Sequence, residues 1–125
     1  MTKKVYIPEG TSVVGPYSPA IETDGFVFLS GQIPIDSQTG KIIDGDIKAQ
    51  TQKCLKNLED LLKAANLTPE NVIKTTIYLT NMADYAIVNQ VYGEFFTAPY
   101  PARTAINVVA LPLEAKVEIE VIAKR

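Results

Sequence analysis

Val72-Ile73-Lys74-Thr75-Thr76-Ile77-Tyr78-Leu79 is a β-branched run set between two stretches of different period. Such a run favours an extended, half-buried backbone and reads as a strand. N-terminal to it, Ile47, Thr51, Cys54, Leu58, Leu61, Leu62 and Ala65 recur at helical spacing. Lys48, Gln52, Lys56, Glu59, Asp60 and Lys63 fill the other side, so the spacing predicts an amphipathic helix capped by Asp44 or Asp46. C-terminal to the octet, Asn81 caps a second helix, with Asp84 as reciprocal partner. Its apolar stripe is Tyr85, Val88, Tyr92, Phe95 and Phe96. Pro99 and Pro101 end it.

Further strands are predicted at Gly25 to Gly31, about Thr104 to Ala110, and Lys116 to Val121, the last with clean alternation. Gly15-Pro16-Tyr17-Ser18-Pro19 is a loop, because two prolines and a glycine block regular structure. Asp36-Ser37-Gln38-Thr39-Gly40 reads as a hairpin end, and Thr68-Pro69-Glu70-Asn71 as a capped short turn. The order is strands, helix, strand, helix, strands. It predicts an α/β (α+β) fold, a mixed β-sheet with two α-helices packed on one face. At 125 residues the chain is expected to form a single domain over 1–125, with core enough to need no disulfide.

Hydrophobic residues make up 46% and charged residues 21%, an ordinary globular balance. A formal net charge of -2 without a basic run argues against nucleic acid as partner. The absence of histidine removes the Ser-His-Asp and Cys-His arrangements and the usual zinc sites, so no metal is expected. Cys54 is the one cysteine and falls on the apolar stripe, which makes it core rather than nucleophile. The start of the chain has no apolar segment of the secretory kind, and no stretch is long enough to span a bilayer. A cytoplasmic protein is the expectation.

Acid-base chemistry must therefore come from Glu, Asp, Tyr, Lys or water. Arg103 is the only internal arginine, set in Tyr100-Pro101-Ala102-Arg103-Thr104. Its planar fork suits a carboxylate, but position alone favours a surface salt bridge or solubility arginine, since most arginines are exposed. Glu118 and Glu120 alternate with Val117, Ile119 and Val121 and so share one sheet face. That face is either solvated or the wall of a cleft in which one glutamate handles protons. Ser30-Gly31-Gln32 ends a strand where a glycine permits close approach to the backbone. Tyr17 is placed to close a pocket or simply to pack on the surface. Asn89 lies beside the helix stripe, where capping and ligand contact are both open. No phosphate loop or dinucleotide fingerprint occurs.

Taken together, the motifs resemble the RidA family, also called YjgF-type, of reactive-intermediate deaminases. The matching residues are Gly15-Pro16-Tyr17-Ser18, Ser30-Gly31-Gln32-Ile33-Pro34, Thr39-Gly40 and Val72 to Leu79. They continue through Val88-Asn89, Tyr92, Phe95-Phe96, Pro101-Ala102-Arg103, Leu111-Pro112 and Val117 to Ala123. The resemblance implies a chorismate-mutase-like fold and a homotrimer, its three sheets around a central barrel with ligand clefts between subunits. It implies hydrolysis of 2-imino acids such as 2-iminopropanoate and 2-iminobutanoate to 2-keto acids and ammonia. That activity protects pyridoxal-phosphate enzymes from enamine and imine damage, and it needs no cofactor. The family's carboxylate-binding arginine falls on Arg103 and its acidic residue on Glu118. Substrate-binding positions fall on Tyr17, Ser30, Gly31 and Asn89. Ala105 replaces a cysteine common in the family, at a position thought to contact ligand through its backbone. Pro19 replaces a common glutamine.

These assignments imply that Arg103 fixes the substrate carboxylate while Glu118 holds water and manages protons. The rival expectation is a non-enzymatic ligand-binding or regulatory trimer in which Arg103 holds a small carboxylate metabolite as a signal.

Overall fold

The octet is a strand, β6 (Val72–Leu79), next to the edge of a six-stranded sheet. The computed structural model describes residues 2–125. The chain begins with β1 (Lys4–Tyr6), β2 (Ala20–Thr23) and β3 (Phe26–Gln32). A small hairpin of β4 (Ile35–Asp36) and β5 (Lys41–Ile42) follows, then helix α1 (Ile47–Ala64). After β6 come helix α2 (Tyr85–Phe95), β7 (Ala102–Asn107) and β8 (Val117–Lys124). The sheet order is β1-β2-β3-β8-β6-β7. Among the described residues only β6 and β7 run parallel, and α2 is the crossover that a parallel pair requires.

The two helices cover one face of this mixed sheet, as the periodicity predicts. Val27, Leu29, Thr75, Ile77, Leu79, Val117, Ile119 and Val121 point into the core. Cys54, Leu55, Leu58, Leu61 and Leu62 of α1 meet them, with Val88, Val91 and Tyr92 of α2. Each fully buried leucine stabilises by roughly 1.5–3 kcal/mol relative to exposure. Asp46 is the α1 N-cap, accepting from the Ala49 amide at 2.9 Å. Cys54 is buried, its thiol 3.5 Å from the Val117 carbonyl oxygen, and burial pushes its proton affinity up. It is a core residue, as its place on the stripe implies.

Several boundaries differ from expectation. The pair β1 and β2 has too weak an apolar pattern to stand out, yet β2 and β3 form a hairpin closed by Asp24-Gly25. Both residues have positive φ, 51° and 77°, the geometry an Asp-Gly two-residue turn supplies. Strand β7 starts at Ala102 rather than near Thr104, because Lys74 of β6 pairs with Ala102 directly after Pro101. Strand β8 continues past Val121 to Lys124, since it is paired on both sides, by β3 and β6. Asn81 accepts from the Ala83 amide and caps a 3₁₀ turn that leads into α2. Asp84 contributes its backbone amide to Asn81 rather than a carboxylate, so the reciprocal side-chain cap is not formed. Val91 joins the buried α2 stripe unanticipated.

Among the described residues, the other sheet face carries no helix. Register places Val5, Ile21, Phe28, Ile122, Lys74 and Ala102 in one row across it. Glu118 and Glu120 stand on this open face, because they alternate with the buried Val117, Ile119 and Val121.

Candidate functional site

Arg103 lies on β7 paired with Thr75, on the sheet face that α2 covers. Its guanidinium donates through Nη1 to Asn89 Oδ1 at 2.7 Å and through Nη2 to the Tyr85 hydroxyl at 2.8 Å. The Tyr92 ring lies 4.9 Å from its Cζ and the Tyr85 ring 5.7 Å, both within cation–π range. The Tyr92 hydroxyl is itself fixed, 2.8 Å from the buried Thr75 Oγ1. Burial raises the Tyr92 proton affinity. Tyr85, Asn89 and Tyr92 are spaced i, i+4 and i+7, so a single stripe of α2 holds the fork. A solubility arginine would not be held this way. Ala105, two residues along β7, shares this face and packs half-buried against the core.

Glu118 belongs to a second constellation. It lies opposite Tyr78 in register and beside Gly31, so close that a Cβ on Gly31 would overlap its carboxylate. Glycine is the residue that leaves room for the acid there. The carboxyl is held above the usual glutamate range by burial, and further by the neighbouring charge of Glu120. Glu120 accepts from the Tyr78 hydroxyl at 2.6 Å, and this pushes the phenol up to about 12. Tyr17, Ser30, Gly31 and Glu118 all line one cavity of about 860 Å³. The N-terminal loop at Pro8 to Val14 and α1 residues including Asn57 and Leu61 form its other walls. Tyr17 is 57% exposed at its rim. The Ser30 hydroxyl donates to the Ser18 carbonyl at 2.6 Å, which ties the Tyr17 loop to β3.

The seven candidate positions thus fall into two groups. Arg103, Asn89 and Ala105 sit on the helix-covered side at the β7 edge. Tyr17, Ser30, Gly31 and Glu118 meet at the end of β3 and on the open face. Strand β6 lies between β7 and β8, so one chain does not bring Arg103 to Glu118. Two participants escaped the sequence reading. Tyr85 and Tyr92 count there as apolar stripe, yet one polar end meets Arg103 and one ring underlies it. Their spacing about Asn89 is the signal that was available.

The chain is similar to known proteins along nearly its whole length. The family model described as Endoribonuclease L-PSP matches residues 9–125. A RutC family protein of Pyrococcus horikoshii is 45% identical over 98% of this chain and 98% of its own length. The 2-iminobutanoate/2-iminopropanoate deaminase of Mus musculus is 39% identical over 97% of this chain and 90% of its own. Among solved structures, a member of the conserved Rid protein family from Yersinia pestis superposes with a TM-score of 0.95. It is 42% identical and covers 99% of this chain and 100% of its own.

Proposed function

This chain belongs to the L-PSP (RidA/YjgF) family, several of whose members are named as deaminases, and from that premise we propose that it hydrolyses 2-imino acids. Substrates of the size of 2-iminopropanoate and 2-iminobutanoate are converted to 2-keto acids and ammonia, which removes imines that damage pyridoxal-phosphate enzymes. The observation that carries the reading is Glu118. It is a half-buried acid with raised proton affinity, on the wall of a cavity and cleared by a glycine. In a chain without histidine it is the group best suited to exchange protons near neutral pH.

The substrate carboxylate pairs with the Arg103 fork, which fixes C2. Glu118 holds a water against C2 and accepts its proton as the C–O bond forms. The C=N π electrons move to nitrogen, which takes up the proton that Glu118 accepted from the water, and a neutral carbinolamine results. Glu118 takes the carbinolamine's hydroxyl proton and returns a proton to the amine nitrogen, the C–N bond breaks with its electrons going to nitrogen, and ammonia leaves the 2-keto acid. Gly31 leaves room for the Glu118 carboxylate, and the Ala105 backbone orients the substrate's carboxylate end without side-chain bulk.

Both residues can act on one substrate only if Arg103 of one copy faces Glu118 of another. A homotrimer assembled through the open sheet face meets this need. Phe28 and Ile106 on that face are 44% and 40% exposed, and Val5 is 48% exposed. An uncovered face of this kind suits association between copies. A net charge of -2 weighs against reading the family's ribonuclease description as this chain's activity.

The test generates 2-iminobutanoate in situ with an amino-acid oxidase and traps unhydrolysed imine with semicarbazide. Wild type should suppress the trapped product and a folded Arg103→Ala protein should not. Binding of a 2-keto acid by wild type without turnover would instead favour the non-enzymatic ligand-binding trimer.

A further inference from the structure

We infer that Tyr85 is a positioning residue for the carboxylate anchor, its hydroxyl setting the plane in which Arg103 presents its remaining N–H groups. The inference rests on reading Arg103 as that anchor. A guanidinium on an edge strand has several rotatable bonds and, unaided, samples many orientations. Here one helix stripe removes that freedom from three sides. Asn89 Oδ1 takes a hydrogen of Nη1, the Tyr85 hydroxyl takes one of Nη2, and the Tyr92 ring supports the flat face. A guanidinium carries five N–H donors. The two bonds leave one donor on each terminal nitrogen and the Nε donor for a ligand, so the contacts orient the fork without consuming it.

Of the three supports, Tyr85 is the one whose contribution is separable. Asn89 contributes only a polar group, and the Tyr92 hydroxyl is engaged by Thr75 inside the core. Tyr85 is half-buried with its ring packed on the core cluster, while its hydroxyl reaches Arg103. Replacing it by phenylalanine keeps the ring, its packing and its cation–π contact, and deletes one oxygen. The ring alone would hold the charge near the sheet edge but would not choose a plane, because attraction to an aromatic face is broad in angle. A bound hydroxyl is directional.

The experiment measures pyruvate affinity by titration calorimetry, and KM and kcat for 2-iminobutanoate, in wild type, Tyr85→Phe, Tyr85→Ala and Arg103→Ala. For Tyr85→Phe, pyruvate binding should weaken about three- to tenfold and KM should rise by the same factor. Its kcat should change less than KM, and its thermal midpoint should stay at the wild-type value. Tyr85→Ala should show the same loss together with a lowered midpoint. A purely structural tyrosine would move the midpoint and leave KM where it was. Pyruvate affinity and KM unchanged in Tyr85→Phe, or affinity tightened because the hydroxyl competes with ligand, overturns the inference. The Arg103→Ala arm separates the two readings. If that protein binds pyruvate like wild type, the anchor assignment itself fails. If it loses binding while Tyr85→Phe does not, only the role of Tyr85 fails.

Discussion

A Cβ placed on Gly31 would stand 2.8 Å from Cδ of Glu118 and 3.1 Å from its Cγ. The acid at the start of β8 therefore occupies the volume that any other residue at the end of β3 would need. Backbone strain is not the reason for glycine here; the neighbouring carboxylate is.

Gly31→Ala is expected to push the Glu118 carboxylate aside while leaving the fold in place, because the far end of a flexible side chain can give way. Imine hydrolysis should fall at least about tenfold, since a small misplacement of a reacting group costs that much or more. Steady-state kinetics beside circular dichroism would check it. Full activity would mean that Glu118 has no need of its present position.

Glu118→Gln should lower turnover by about 10²–10⁴-fold while pyruvate still binds. It carries a stability signature as well. Burial and Glu120 raise the folded-state pKa of Glu118 above its unfolded value. The native state therefore binds its proton more tightly, and the associated stability is complete at low pH and lost as pH rises through the folded pKa. Glutamine cannot ionise, so the variant should match wild type in acid and become the more stable protein toward neutral pH. Thermal midpoints at a series of pH values would show whether that gap opens.

Phe28→Asp places a charge in the middle of the uncovered sheet face, where association would bury it at high cost. The proposed assembly expects trimers for wild type in sedimentation and monomers for this variant. On the proposed shared site, hydrolysis should be lost as well, because a single chain keeps Arg103 and Glu118 on opposite faces of the sheet. Wild-type activity from a monomeric variant would refute the shared site.

Glu22 accepts two bonds from Arg125, at 2.9 and 3.1 Å, and one from the Tyr6 hydroxyl at 2.7 Å. Arg125 also reaches the Ala65 carbonyl behind α1, at 2.8 Å. The guanidinium and then the phenol lower the Glu22 pKa to about 2. A depressed carboxylate contributes stability above its unfolded pKa, here near 4.5, and loses it as pH falls toward 2. Arg125→Ala should thus lower the thermal midpoint at pH 7, with the difference shrinking steadily between pH 4.5 and 2. A pH-independent difference would assign the effect to packing alone.

Much of the architecture was legible because it follows from local chemistry. The helical stripe from Ile47 to Ala65, the β-branched octet and the alternation in β8 each mark which side is buried, and burial dictates the element. Strands β1 and β2 are hidden because segments of three and four residues carry too little periodicity, although Asp24-Gly25 marks the turn from β2 into β3. Arg103 stands out through scarcity; alternation puts Glu118 and Glu120 alike on one face, and only the family resemblance singles out Glu118. Tyr85 and Tyr92 do not stand out, because a tyrosine on an apolar stripe presents the same spacing whether its hydroxyl is idle or engaged.

The chain's own order of residues determines the elements, the buried face and the chemistry available: one internal guanidinium, a few carboxylates, no imidazole. Which of these groups meet is decided by tertiary structure. Sheet order β3-β8-β6-β7 brings Gly31 to Glu118 and keeps Arg103 two strands away on the other face. Pairing between strands distant in sequence depends on packing summed over the whole core, and no local period encodes it.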